Sequence, residues 1–220
     1  MERVLEPELM NEEAQASAYA KADFAESHSA YPQLFLAEFK TPPARASVLD
    51  LGCGPADVTL RFARAFPGYM FHAVDGAEAM LREARLALDR QSELASRIRL
   101  LHGVLPDLLL PQEHYDVILS SNLLHHLPNP QILWRTVTRF GRKGTLVFVT
   151  DLYRPASVAA AQELVELHAP GEPEVLRRDF FNSLLAAFTP AEIQAQLQEA
   201  KLKFTVKTVS DRHLVVAGQI

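Results

Sequence analysis

Val48-Leu49-Asp50-Leu51-Gly52-Cys53-Gly54-Pro55-Ala56-Asp57 decides how the rest of the chain is read. Apolar residues of strand type, broken by one acid, run into two glycines and then into a helical pattern from Ala56 to Phe66. Glycines at a strand-to-helix turn let the backbone take left-handed angles and let a ligand approach the main chain closely. Unpaired amides at the start of the helix favour electron-rich ligand atoms. The turn therefore predicts a cofactor seat. A dinucleotide site asks for Gly-x-Gly-x-x-Gly, and this chain puts Asp57 in place of the third glycine, where an acid repels pyrophosphate.

Outward from the turn, Pro67-Gly68 breaks the helix, and Tyr69 to Val74 reads as a second strand ending at Asp75. Laid parallel beside the first strand, it brings Asp75 to the carboxyl edge that Gly52 and Gly54 occupy, the edge where open α/β sheets bind ligands. Ala77 to Leu88 follows as a helix. Strands are predicted at Arg97 to His102, at Tyr115 to Asn122 and at Thr145 to Thr150, with an amphipathic helix over Gln131 to Phe140. Helical periodicity returns over Val158 to His168 and Asp179 to Phe188, interrupted at Pro170-Gly171-Glu172-Pro173. Thr189-Pro190-Ala191-Glu192 supplies an N-cap, a first-turn proline and an acid, opening a helix to Ala200. Lys203 to Val209 and Arg212 to Ala217 close the chain as two strands joined by Ser210-Asp211.

Upstream, Glu8 to Phe39 carries apolar residues at helical spacing and predicts two helices separated near Glu26 to Ser29. Thr41-Pro42-Pro43 ends them. The expected division is an N-terminal helical segment, 1–43, and a main domain, 44–220, with a helical insertion at about 155–188.

Asp50, Gly52 and Gly54 fit the pattern hydrophobic-x-Asp-x-Gly-x-Gly. With Asp75 and the strand end Ser121-Asn122, they resemble the class I S-adenosylmethionine-dependent methyltransferases of the small-molecule type. That resemblance implies an α/β, Rossmann-like, doubly wound and mostly parallel seven-stranded sheet, closed by an antiparallel C-terminal hairpin, with the N-terminal helices as a lid. It implies S-adenosylmethionine as cofactor and S-adenosylhomocysteine as product, held by Tyr19, Asp50, Gly52, Gly54, Asp75, Gly76, Met80, Ser121 and Asn122. Asp75 would accept from the ribose hydroxyls, and Ser121 and Asn122 would meet the methionine portion. Phe24, His28, His126 and Tyr153 are the acceptor-side candidates, and His126 the candidate base, since an imidazole exchanges protons near neutrality. Val104 stands where many family members carry an adenine-binding Asp. The Asn-Pro-Pro-aromatic signature of nucleic-acid amino methyltransferases is absent from the sequence, so the expected acceptor is a small molecule. Two other readings stay open: a nicotinamide-dependent oxidoreductase, which Asp75 also suits, and a protein that binds the cofactor without turnover.

Composition bounds these readings. The chain has 220 residues, 48% of them hydrophobic, enough for one α/β domain with a sizeable core. A net charge of −5 argues against a general polyanion-binding surface and hence against nucleic acid. No apolar run reaches the roughly 20 residues of a membrane helix, and the first six residues are too polar for a signal peptide, so the expected location is the cytoplasm. The single Cys53 excludes an intrachain disulfide and reads as a packing residue. His125 and His126, being adjacent, make a poor metal pair without further ligands, and no metal is expected.

Overall fold

The computed structural model describes residues 1–7, 9–22 and 24–220. Glu8, at which the sequence reading begins the helical run, lies outside the described residues. In chain order the elements are α1 (Glu13–Lys21), α2 (Ala25–His28), α3 (Tyr31–Glu38), β1 (Ala46–Leu51), α4 (Asp57–Ala65), β2 (Tyr69–Asp75), α5 (Glu78–Asp89), α6 (Ser92–Ala95) and β3 (Ile98–His102). Then come β4 (Val117–Ser121), a 3-10 turn (Leu124–His126), α7 (Gln131–Phe140), β5 (Leu146–Leu152), α8 (Val158–His168), α9 (Glu174–Ala186), α10 (Pro190–Glu199), β6 (Thr205–Thr208) and β7 (His213–Gln219).

The seven strands form one sheet in the order β3-β2-β1-β4-β5-β7-β6. The first five are parallel, and β7 runs antiparallel to both β5 and β6. Strand order reverses between β1 and β4, which opens a crevice outside their carboxyl ends. In register, Leu51 lies opposite Val74 of β2 and Ser120 of β4. The residues just after these positions, Gly52, Asp75 and Ser121, therefore meet at one edge. This doubly wound sheet with a closing hairpin is the class I arrangement expected above.

Alternation along the strands builds two cores. One face of β1, Val48 with its neighbours Phe71, Ala73, Val117 and Leu119, packs on Phe35 of α3 and Phe62 of α4. The other, Leu49 and Leu51 with Ile118, Val147 and Val149, packs on Trp134 of α7 and Ile193 and Leu197 of α10. Trp134 is fully buried, and its indole N–H donates to the Gln196 side-chain carbonyl at 3.0 Å. Burial on both faces explains the near-continuous apolar run of β1.

Three differences from the sequence reading have local causes. Among the described residues three helices precede β1 instead of two, since α1 ends at Lys21 and a separate short turn of helix starts at Ala25. The helix expected from Asp179 begins at Glu174, with Pro173 as its N-cap and Glu174 in its first turn. Proline had been read as the end of the interruption, yet it also starts helices. α6 is only four residues long, too short to print a period. Among the described residues no helix is long and apolar enough to cross a membrane.

Candidate functional site

The turn after β1 takes left-handed angles three times, at Gly52 (φ +71°), Gly54 (+53°) and Ala56 (+66°). Only the glycines do so without a side-chain penalty. A Cβ on Gly52 would meet Leu123 at 3.0 Å, whereas nothing lies within 4 Å of one on Gly54. Gly54 thus faces open space. The amides of the turn itself are engaged: the Gly52 and Cys53 amides donate to the Val74 carbonyl at 2.9 and 3.0 Å, and the Gly54 amide donates to Asp75 Oδ2 at 2.7 Å. Parallel pairing with β2 brings these acceptors within reach, so the turn is bonded to its neighbour.

Asp75 also accepts from the Ala77 amide through Oδ1, at 2.8 Å. Burial pushes its carboxyl above the usual range, against the pull of these amides. Each oxygen keeps a further lone pair for a ligand donor. Asp50 plays a different part. It is 1% exposed, accepts from Thr59 Oγ1 at 2.6 Å, and burial pushes it up to about 6, so it braces α4 under the turn.

A cavity of about 550 Å³ opens at this edge. Tyr19, Phe24, His28, Asp50, Gly52, Gly54, Asp75, Gly76, Met80, Ser121, Asn122 and His126 all line it, so the sequence reading named residues that the fold brings together. Tyr153 is the exception: it is not among the lining residues, and its hydroxyl points to the Ser210 carbonyl at 3.5 Å. β5 runs two residues longer than its predicted end, which carries Tyr153 past the crevice. Ser121 Oγ accepts from Thr150 Oγ1 at 3.0 Å. Asn122 has φ +53°, and its side-chain Oδ1 is buried at the cavity wall without a partner among the described residues. A buried acceptor in that condition calls for a donor from a ligand. Val104 sits in the opposite wall with Leu9, and both crowd Gly76, where a Cβ would meet Leu9 at 2.8 Å.

The N-terminal segment faces the cavity with the rings of Tyr19, Phe24 and His28, and the run continues into the core at Tyr31. Tyr19, Phe24, His28 and Tyr31 succeed one another at centroid distances of 4.7, 5.1 and 5.2 Å. Within this run His28 is 4% exposed and its Nδ1 contacts Asp57 Oδ2 at 2.8 Å. Arg61 Nε donates to the same carboxylate at 3.0 Å. Although burial works the other way, these two partners hold Asp57 below its ordinary pKa. The acid that replaces a third glycine thus orients a histidine of the lid.

A second cluster borders the cavity where the 3-10 turn meets the N-terminus. His125 Nδ1 contacts Asp151 Oδ1 at 2.5 Å, and His125 Nε2 lies 3.4 Å from Glu6 Oε1. His126 Nδ1 lies 3.2 Å from the same Glu6 oxygen. Burial works against charge on His125, yet Asp151 and then Glu6 outweigh it and raise the ring above its ordinary value. Burial, followed by the neighbouring His125, pushes His126 down to about 3. A ring that holds a proton so weakly makes a poor base near neutrality, which argues against the role expected for His126. Arg3 fastens this region: Nη2 donates to the His125 and Leu127 carbonyls at 2.7 and 3.0 Å, and the guanidinium lies over Phe188 at 3.8 Å. Sequence reasoning missed Glu6 and Arg3. Both look like ordinary polar residues of a chain end, and only the fold brings them here.

Residues 48–144 match the model of a family described as a methyltransferase domain. A "Ubiquinone biosynthesis O-methyltransferase" of Xanthomonas oryzae pv. oryzae is 30% identical over 165 residues, covering 73% of this chain and 64% of the relative. The chain thus aligns with somewhat under two thirds of that relative's length. Among solved structures, a SAM-dependent methyltransferase from Aquifex aeolicus superposes with a TM-score of 0.68 at 16% identity, covering 94% of this chain and 97% of that one. The plantazolicin methyltransferase BpumL, solved with a desmethyl plantazolicin analogue and SAH, superposes with a TM-score of 0.66 at 14% identity, covering 94% and 91%. At these identities the two structures bear on the fold.

Proposed function

From the match of residues 48–144 to a methyltransferase-domain family, we propose that the chain is a methyltransferase of that kind and transfers a methyl group from S-adenosylmethionine to a hydroxyl of a small molecule. The observation that carries the reading is one wall of the cavity: the open face of Gly54, the Asp75 carboxylate and the unpartnered Asn122 Oδ1 on adjacent strand ends. Asp75 offers lone pairs to a ribose diol, and Asn122 an acceptor to an ammonium group. Gly54 leaves room for the ligand between them. These are the acceptors and the shape that the cofactor requires.

Bound there, S-adenosylmethionine supplies a methyl group already activated by a positive sulfur. The chain's own residues then have modest work. Tyr19 and Phe24 close a largely apolar wall that excludes water and holds an acceptor in place. His28, held through Nδ1 by Asp57, takes the proton from the acceptor hydroxyl. A hydroxyl acceptor is supported by the name of the Xanthomonas relative, and a small one by the cavity volume of about 550 Å³ and the net charge of −5.

Calorimetric titration with S-adenosylhomocysteine and, separately, NADH tests the cofactor. Saturable binding of the first is expected. Binding of NADH with no response to S-adenosylhomocysteine overturns the reading. Radiolabelled methyl transfer to a panel of phenols, carboxylic acids and amines then tests the acceptor, with label expected in the phenols.

A further inference from the structure

We propose that Glu6, His125 and His126 form a binding site for one divalent transition-metal ion of the zinc class, clasping the N-terminal segment to the end of β4. One ligand atom from each of the three residues lies within 4.8 Å of the other two. With metal–ligand bonds of about 2.0–2.2 Å, the corners of a tetrahedral site stand roughly 3.3–3.6 Å apart. The two separations from Glu6 Oε1 are 3.4 and 3.2 Å.

Direction supports the same conclusion. Glu6 Oε1 and His126 Nδ1 are at hydrogen-bond distance, yet both are buried and neither has a hydrogen-bond partner. Buried atoms that are close but not aligned as donor and acceptor keep their lone pairs free for a shared ion. The Glu6 side chain is 9% exposed and His125 3%, so neither lone pair is satisfied by bulk water.

The surroundings suit a metal as well. His125 turns its other nitrogen to Asp151, the carboxylate–histidine–metal relay that fixes which nitrogen is free to ligate. Glu6 Oε2 accepts from Ser183 Oγ at 3.2 Å, which fixes the carboxylate. Three protein ligands leave a fourth position for water or an oxygen ligand, and His125 and His126 both line the cavity. This site depends on the cluster alone and stands or falls independently of the methyl-transfer reading.

Full-length protein stripped with chelator and titrated with Co²⁺ tests the site. One equivalent is expected to bind with the visible d–d absorption of a four-coordinate ion, and Zn²⁺ is expected to displace it. Glu6→Gln and His126→Gln should each weaken Zn²⁺ binding at least 10-fold, and Asp151→Asn by about 10- to 100-fold through the relay. Zn²⁺ should raise the melting temperature of the wild type and not that of Glu6→Gln, a comparison that also reports whether the variant folds. No saturable Co²⁺ signal overturns the site, leaving a shared proton as occupant. Binding that neither glutamine variant weakens also overturns it.

Discussion

Asp75 Oδ2 accepts a hydrogen bond from the Gly54 amide at 2.7 Å, so the tip of β2 holds the glycine turn that leaves β1. One carboxylate thereby ties together two loops and keeps lone pairs facing the cavity. Replacing it with alanine removes a charged acceptor and leaves the Gly54 and Ala77 amides unpaired. Asp75→Ala is expected to raise the dissociation constant for S-adenosylhomocysteine about 10- to 100-fold, or ~1.4–2.8 kcal/mol. Calorimetry on the folded variant checks this. An unchanged constant removes the ribose role.

His28 and Asp57 make a second pair, 2.8 Å apart, one on the lid and one at the start of α4. If His28 receives the acceptor proton, His28→Gln should lower kcat by about 100-fold or more while cofactor affinity stays near the wild-type value. Asp57→Asn, which leaves the ring but loosens its orientation, should cost less. A His28→Gln enzyme within threefold of wild type on every phenol that the wild type methylates would remove this base.

Arg3 is the fastener of the N-terminal segment. It reaches the carbonyls of His125, Leu127 and Ala186, and the Val4 amide beside it donates to Leu185 at 3.1 Å. Arg3→Ala leaves those carbonyls without a charged donor, a loss of about 1.5–3 kcal/mol per charged hydrogen bond at the upper end. The expected result is local opening: amide exchange at Val4 should quicken by at least tenfold while exchange in β1 and β4 stays slow. Equal acceleration in the central strands would mean that the arginine supports the whole fold.

How much of this was legible follows from sequence distance. The bounds of α7 and α8 agree with the periodic pattern because each helix buries one stripe against a neighbour, and that stripe is printed in the sequence. Asp75 was legible because parallel pairing converts a strand end into a sheet edge. The fate of the turn amides was not, since their acceptors, Val74 and Asp75, lie on the next strand and depend on its register. Glu6 was hidden for the same reason in stronger form. Nothing within ten residues of it signals a histidine pair more than a hundred positions away. Tyr153 was misplaced by the end of a strand, where pattern reading is least sharp.

Two buried groups shape acid stability in opposite senses. The folded Asp50 carboxyl keeps its proton to about pH 6, through burial, while an unfolded Asp releases it near 3.8. Between those values the folded state binds more protons, so raising the pH through this window destabilises the protein. His213, buried and then opposed by Arg212 and His28, is pushed down to about 4, against 6.5 for a free ring. Here the unfolded state binds more protons, and lowering the pH from 6.5 towards 4 destabilises. Urea unfolding of Asp50→Asn and His213→Asn at several pH values separates them. Relative to Asp50→Asn, the wild type should lose about 2–3 kcal/mol between pH 4 and 6.5; relative to His213→Asn, it should gain a similar amount over the same rise. A variant whose stability keeps a fixed offset from wild type across this range would show that its residue titrates alike in the folded and unfolded chain.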